Sequence, residues 1–190
     1  MAENRSIRGF TILLFGVLLG SLLMVALIRN SIGKRGGRTE GRAPAIDVAG
    51  WVNGELPQDL GGKVVVIDAF ASWCGPCREA LPELIQTYEH FEDRGVLFVG
   101  LTSETPEDLE YVQKFVKLTG IPWPVGYGAL PTLRALQVRM IPQVFVIGGN
   151  GQILWNLDSA RTKGPATLDE AIEQALAANR EKSAAAPASN

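Results

Sequence analysis

The sequence has few residues that bind metals through sulfur or imidazole. Its 190 residues include two cysteines, one histidine and three methionines. A structural zinc site needs four ligands of the Cys, His or carboxylate type, and His90 lies more than two helical turns beyond the cysteine pair in the predicted helix. A zinc site is therefore disfavoured, and neither a metal nor a cofactor is expected.

Basic residues are scarce outside the N-terminal segment. Residues 1–42 carry seven Lys and Arg against two Glu, whereas the remaining residues carry 11 Lys and Arg against 18 Asp and Glu. A nucleic-acid-binding domain needs a basic surface to meet the phosphates. The acidic remainder of this chain therefore excludes nucleic acid as a partner.

One long uncharged apolar run lies near the N-terminus, from Phe10 to Ile28. At the helical rise its length is about 28 Å, close to the hydrocarbon thickness of a bilayer. It predicts an uncleaved transmembrane helix at residues 10–28, with the lipid bilayer as a partner. A buried core helix and a cleaved signal peptide are the alternatives, but a signal's apolar region usually runs about 7–15 residues and ends at small residues, whereas Arg29 and Asn30 follow here.

The rest of the chain divides by composition. Glycines alternate with charged residues after the apolar run, which is typical of a flexible tether, and the C-terminal end is rich in Ala, Ser and Pro. The segment between them has a size that buries a single core. The predicted divisions are an N-terminal tail (1–9), an anchor (10–28), a linker (29–44), one folded domain (45–178) and a disordered tail (179–190).

Apolar runs alternate with helical patterns through the predicted domain. The run Lys63–Phe70 is almost continuously apolar and rich in β-branched residues, as a strand buried on both faces should be, and Val96–Leu101 has the same character. Helices are predicted from about Pro76 to Arg94, from the N-cap Thr105 to Gly120, and around Leu130–Leu136. This alternation predicts an α/β fold with a largely covered central sheet.

The end of the domain has two further patterns. The stretches QVFVI and QILWN are separated by the turn residues Gly148–Gly151 and predict a β-hairpin. A final helix is predicted from a capping box at Thr167–Glu170 to about Ala178.

Both cysteines lie in ASWCGPCREA, at the predicted junction of a strand and a helix. A disulfide across two residues closes too small a loop to stabilise the fold much. A helix N-terminus favours an anion, and lowering a thiol pKa from about 8.5 to about 7 raises its thiolate fraction at pH 7 from roughly 3% to roughly 50%. We therefore expect a redox pair in which Cys74 is the exposed nucleophile and Cys77 the resolving thiol.

The stretch VVVIDAFASWCGPCREALP resembles the active-site region of the thioredoxin superfamily, and with the preceding anchor the chain is similar to the membrane-tethered TlpA/ResA-like thiol–disulfide oxidoreductases. The resemblance covers most of residues 45–178 and implies a thioredoxin-like fold, in which helices flank a central mixed β-sheet. It implies protein substrates with disulfides, and a membrane or soluble thiol–disulfide electron donor. The matching residues are Trp73, Cys74, Gly75, Pro76 and Cys77 of the motif, Pro82 inside the helix, the buried acid Asp68, and Ile141 and Pro142 of a cis-proline loop.

The companion residues also have physical interpretations. Burial of Asp68 in an apolar strand should raise its pKa and let it accept the proton of Cys77; an aspartate at a strand end that meets water or a lysine is the alternative. A cis bond before Pro142 would leave the backbone groups of Ile141 free to pair with a bound peptide; a trans proline at a strand entry is the alternative.

Other features bear on the kind of reaction and on the substrate. Trp73 and Trp123 fit either core packing or an apolar docking rim. Members linked to cytochrome c assembly carry an acid three residues after the second cysteine, where this chain has Ala80, which argues against a role in cytochrome c maturation. The Gly-Pro dipeptide between the cysteines resembles that of reducing members.

Two other functions stay open on the same fold. A Cu(I)-binding metallochaperone would use both thiolates, but Met or His would be expected nearby, and this segment has neither. A peroxiredoxin-like peroxidase shares the broader fold, although its nucleophile lies in a context without a CxxC motif.

The charges around the apolar run and the family resemblance disagree about the side of the membrane. The basic residues near the run are Arg5 and Arg8 before it and Arg29, Lys34, Arg35 and Arg38 after it. The positive-inside rule then favours a cytoplasmic domain. The resemblance implies the opposite, because tethered oxidoreductases of this type are usually exported. We expect a single-pass membrane protein with its thioredoxin-like domain on the extracytoplasmic, periplasmic face.

Overall fold

The computed structural model describes residues 41–158 and 165–185, with side chains as far as residue 181 in the second range. Within these ranges no helix is both long and apolar enough to cross a membrane. The predicted transmembrane helix at residues 10–28 and the N-terminal tail lie outside the described residues, as does most of the predicted linker.

The described chain forms one six-stranded sheet with helices on both faces. In chain order the elements are β1 (Gly50–Val52), β2 (Val65–Ala69), α1 (Gly75–Phe91), β3 (Leu97–Leu101), α2 (Leu109–Thr119), β4 (Val125–Tyr127), α3 (Leu130–Ala135), β5 (Gln143–Ile147), β6 (Ile153–Asn156) and α4 (Leu168–Ala185). The strand order is β1-β4-β3-β2-β5-β6. The neighbours β2, β3 and β4 run parallel, whereas β1, β5 and β6 pair antiparallel. The predicted central mixed sheet flanked by helices is therefore confirmed.

Strand β2 lies inside the sheet, between β3 and β5, and both of its faces are covered. All five of its residues are buried. Val66 packs in a cluster with the buried residues of α1, α2 and α4, whereas Val65 and Ile67 pack on the opposite face with those of α3. A strand covered on both faces needs an almost continuous apolar run, which VVVIDAF provides.

Helix α1 begins directly after β2 and carries the site. Its buried residues include Leu81, Leu84 and Phe91, spaced so that one face meets the sheet. The α-helix ends at Phe91, and a 3₁₀ turn continues the chain to Gly95, whose positive φ of 77° ends the helical region. The predicted end near Arg94 agrees with this boundary within the usual variation at helix termini.

Two strands and one helix end differ from the sequence predictions. Strands β1 and β4 were not predicted, because each has only three residues and β4 follows a segment rich in proline and glycine. Their pairing depends on close approach, since a Cβ at Gly50 of β1 would overlap the side chain of its partner Tyr127 in β4. Helix α4 continues past the predicted end near Ala178 to Ala185 and enters the predicted tail, because alanine is the strongest helix former.

Candidate active site

The two cysteines form a disulfide at the N-terminus of α1, with their Cα atoms 5.3 Å apart. Cys74 is the N-cap residue, and its Sγ accepts a hydrogen bond of 3.2 Å from the backbone N–H of Cys77. Gly75 opens the helix, and Pro76 occupies the first turn, where a missing N–H group costs nothing. A thiolate on Cys74 would therefore meet an N–H donor and the positive end of the helix dipole.

Exposure does not distinguish the two cysteines, contrary to our expectation of an exposed Cys74. Cys74 and Cys77 are only 4% and 3% exposed, because the start of α1 packs into the same apolar cluster as Phe70 and Leu81. The difference between the two sulfur atoms lies in hydrogen bonding, since Cys74 Sγ is the atom that accepts the N–H group.

The two tryptophans near the site lie in opposite environments. Trp73, directly before Cys74, is 74% exposed, which favours a docking rim over core packing. Trp123 is 1% exposed, and its ring lies 5.6 Å from those of Tyr88 and Phe98. Trp123 is therefore a core residue.

Asp68 lies in the middle of β2, on the sheet face that α1 covers. It is 4% exposed, and burial raises its pKa from 3.8 to about 7. Its Oδ2 atom has no hydrogen-bond partner among the described residues. Asp68 therefore lies buried inside the strand, and not at a strand end beside a lysine or bulk water. A carboxyl with this pKa can accept and release a proton near neutral pH.

The peptide bond between Ile141 and Pro142 is cis, as the resemblance implied. Gln143, the residue after Pro142, pairs with Ala69, the last residue of β2. The cis bond therefore lies at the end of the sheet where the chain leaves β2 and leads to Cys74. No hydrogen bond to the backbone of Ile141 is formed within the part of the chain that the structure describes.

Pro82 lies inside α1, and the helix continues through it to Phe91. Its ring removes one backbone donor from the first half of the helix. Pro82 also borders a groove of about 730 Å³ between α1 and α2, in which apolar side chains such as Leu81 and Ile85 lie beside the exposed Trp73. The groove therefore adjoins the disulfide.

Glu104, which follows β3, lies beside the site although the sequence patterns did not indicate it. It is 9% exposed, and its Oε2 accepts hydrogen bonds of 2.8 Å from the Ser72 N–H and from the Thr102 hydroxyl. Its Oε1 accepts a further bond from the Ser72 hydroxyl. Because β2 and β3 are parallel, their carboxyl ends meet at one edge of the sheet, and an acid three residues after the end of β3 was the available signal.

The described residues contain no group of three or more His, Cys, Asp and Glu side chains arranged to hold a metal ion. The fold and the site together define a class of protein, namely a thioredoxin-like α/β protein with its dithiol pair at a helix N-terminus.

Comparison with known proteins agrees with this class. A family model described as Redoxin matches residues 54–172, and the chain belongs to this family. The thiol-disulfide oxidoreductase ResA of Bacillus subtilis (strain 168) is 31% identical over 97 residues, which are 50% of this chain and 53% of that protein. The chain thus spans about half the length of this curated relative.

Two solved structures are similar over more of their length. The crystal structure of a putative thiol:disulfide interchange protein DsbE from Chlorobium tepidum is 27% identical, with a TM-score of 0.53, over 75% of this chain and 97% of that one. The thioredoxin domain of a thiol-disulfide oxidoreductase from Bacteroides vulgatus is 22% identical, with a TM-score of 0.59, over 72% and 96% of the two chains. The second likeness shows the fold alone.

Proposed function

We propose that the protein is a membrane-tethered thiol–disulfide oxidoreductase that reduces disulfides in protein substrates through Cys74 and Cys77. The observation that carries this proposal is the disulfide at the start of α1, in which Cys74 Sγ accepts the backbone N–H of Cys77. The relatives support it, because ResA and the DsbE-like protein are named for thiol–disulfide chemistry.

The reaction begins with the reduced protein. The Cys74 thiolate attacks one sulfur of the substrate disulfide, so that a mixed disulfide forms and the other substrate sulfur leaves as a thiolate. The Asp68 carboxylate then takes the proton of the Cys77 thiol. The Cys77 thiolate attacks Cys74 Sγ, which closes the disulfide of the protein and releases the second substrate sulfur. The two electrons of the dithiol have then passed to the substrate, and a dithiol donor, membrane-bound or soluble, restores the reduced state by the reverse exchange.

Asp68 suits this step because its pKa is raised to about 7 by burial. A base works best when its pKa lies near the working pH, since it is then both partly ionised and able to hold the proton. The proton on Asp68 afterwards neutralises the departing substrate thiolate.

Three features support docking of a polypeptide beside the disulfide. Trp73 offers an exposed ring directly before Cys74. The backbone of Ile141 provides a donor and an acceptor for an extended peptide, beside the cis bond to Pro142. The groove along α1 has apolar walls that would hold a hydrophobic side chain of the substrate.

The membrane location is part of the proposal. The uncharged run at residues 10–28 is long enough to span a bilayer, and the resemblance to tethered oxidoreductases supports a domain on the extracytoplasmic face. In intact cells, a membrane-impermeant thiol reagent applied after mild reduction is expected to label Cys74. Protection of Cys74 until the membrane is broken would instead mean a cytoplasmic domain, in line with the excess of basic residues after the run.

The activity is tested by trapping. A Cys77→Ser variant expressed in intact cells is expected to accumulate mixed disulfides between Cys74 and its substrates, which non-reducing gels followed by mass spectrometry identify. The doubly substituted Cys74→Ser, Cys77→Ser variant is the control. Absence of trapped proteins, together with peroxide consumption or Cu(I) retention by the unmodified protein, would replace the proposal with one of the two alternative functions.

A further inference from the structure

Two buried polar side-chain atoms have no hydrogen-bond partner among the residues that the structure describes. They are Oδ2 of Asp68 and Nε1 of Trp123. An ionised carboxylate only accepts hydrogen bonds, and an indole N–H only donates them. An unpaired polar group in a protein interior is costly and calls for an explanation. The two orphan atoms are thus complementary in chemistry.

The two atoms also lie on the same face of the sheet, on either side of β3. Asp68 is paired with Gly100 of β3, and Gly100 is paired in turn with Val125 of β4. Trp123 lies two residues before Val125, in the segment that leads into β4. Trp123 also belongs to the apolar cluster that α1 covers.

The indole ring of Trp123 can lie against β3 because residue 100 is a glycine. A Cβ at Gly100 would lie 3.4 Å from Trp123 Nε1 and 2.9 Å from Phe70 Cε1, so any larger residue would displace these rings. Neighbouring strands are about 4.8 Å apart. The indole N–H of Trp123 therefore lies against β3, the strand next to that of Asp68.

We propose that Trp123 is a positioning residue for the reaction, whose indole N–H donates a hydrogen bond to the ionised Asp68 carboxylate, directly or through one water molecule. The inference rests on the proposed function, because it assigns Trp123 the task of stabilising the base form of Asp68 before the Cys77 proton arrives. Without this donor Oδ2 of the buried carboxylate would have no polar contact, and the ionised form would be rarer at neutral pH.

Few other groups can influence Asp68. The helices packed on this face, α1, α2 and α4, carry their described Asp, Glu, Lys, Arg and His side chains at exposed positions. Their buried or half-buried titratable groups are the cysteines of the disulfide and the Tyr88 phenol. Glu104 is bonded to Ser72 and Thr102. Burial alone raises the pKa of Asp68, with no charged neighbour contributing.

The test is an NMR titration of the full-length protein in its oxidised form, in which neither cysteine titrates. The carboxyl ¹³C signal of Asp68 is assigned by its loss in Asp68→Asn. A Trp123→Phe change removes the donor and keeps most of the ring volume, so the titration midpoint is expected to rise by about one pH unit. Trp51→Phe, on the opposite face of the sheet, is the matched control and should leave the midpoint unchanged.

A second measurement needs no change at Trp123. In the unmodified protein the indole ¹⁵N–H signal of Trp123 should shift with the same midpoint as the Asp68 carboxyl, and Asp68→Asn should abolish this shift. An indole signal that does not respond to the Asp68 titration overturns the proposal, as does an unchanged midpoint in folded Trp123→Phe. Both readouts are independent of disulfide reduction, so a protein without reductase activity would disprove the proposed function and leave this test intact.

Discussion

The carboxylate of Glu104 is hydrogen bonded to both the backbone N–H and the hydroxyl of Ser72, two residues before Cys74. The Thr102 hydroxyl donates to the same carboxylate. One buried side chain therefore joins the carboxyl ends of β2 and β3 and holds the loop that carries Trp73 and the first cysteine.

Glu104→Ala is expected to lower the free energy of unfolding by about 2 kcal/mol, because three donors lose a charged acceptor in a buried setting. Urea denaturation measures this loss. Glu104→Gln, which keeps one acceptor oxygen, should lose less. The exposed Glu107→Ala is the matched control and should stay within about 0.5 kcal/mol of the unmodified protein. Equal losses for Glu104→Ala and Glu107→Ala would show that the loop does not depend on this carboxylate.

Reduced Cys74 is expected to react with iodoacetamide several-fold faster than reduced Cys77 at pH 6.5. The reason is the N-cap position of Cys74, whose sulfur accepts the Cys77 N–H and lies at the positive end of the helix dipole. Rates are compared in the Cys77→Ser and Cys74→Ser variants, each with one thiol. Equal rates would contradict the assignment of Cys74 as the nucleophile.

Asp68→Asn is expected to stabilise the fold at neutral pH. Since burial raises the pKa of Asp68 from 3.8 to about 7, the folded state binds more protons than the unfolded state between these values. The stability of the unmodified protein therefore falls as pH rises from about 4 to 7, whereas the variant lacks this loss. The variant's advantage should be absent near pH 3 and reach about 2–4 kcal/mol at pH 8. Urea midpoints at the two pH values measure it, and a pH-independent difference would argue against the raised pKa.

The same Asp68→Asn change is expected to slow disulfide reduction several-fold at neutral pH, because the Cys77 proton then has no acceptor. In the unmodified protein the rate of the resolving step should rise with pH through about 7, as the Asp68 pKa predicts. Single-turnover kinetics between pH 6 and 8 measure both effects. A rate that is unchanged in the variant across this range would remove Asp68 from the mechanism.

Trp73→Ala is expected to raise KM for a protein substrate more than it lowers kcat, since an exposed ring beside Cys74 contributes to docking and not to the core. Its free energy of unfolding should change by less than about 0.5 kcal/mol. Leu154→Ala, a partly exposed position on β6, is the control and should leave KM unchanged. A Trp73 variant with unaltered KM would exclude the ring from the docking surface.

Gly100→Ala is expected to destabilise the fold by about 1–3 kcal/mol, because the added methyl group would lie within 3.0 Å of Phe70 Cε1 and Val125 Cγ2. Thermal unfolding measures the change. At Gly75 a Cβ would meet nothing within 4 Å, so Gly75→Ala is a matched control that should not lose stability. If both variants unfold at the same temperature, the sheet tolerates a side chain under Trp123.

The patterns of apolar and capping residues in the sequence were enough to predict the strands and helices whose formation depends mainly on their own residues. Strand β2 follows from an apolar run, and Thr105 is the N-cap residue of the helical turn that leads into α2, as predicted. The hydroxyl of Thr167 likewise accepts the Glu170 N–H at the start of α4. The dithiol motif could also be recognised, because its cysteines are close in sequence and its chemistry depends on one helix N-terminus.

The tertiary structure alone decided the features that depend on distant segments. Strands β1 and β4 are too short to have a periodicity of their own. Strand β1 forms because it pairs with β4, and β4 because it pairs with both β1 and β3. Three features of the site require segments that are far apart in the sequence to meet. They are the burial of Cys74, the contact of Glu104 with Ser72 and the approach of Trp123 to Gly100. The sequence by itself therefore determined the reactive pair and the strand that carries its acid. The packing of the core decided how exposed the cysteines and Asp68 are and which polar atoms lie beside them. Burial and hydrogen-bond partners depend on contacts that form only in the folded protein.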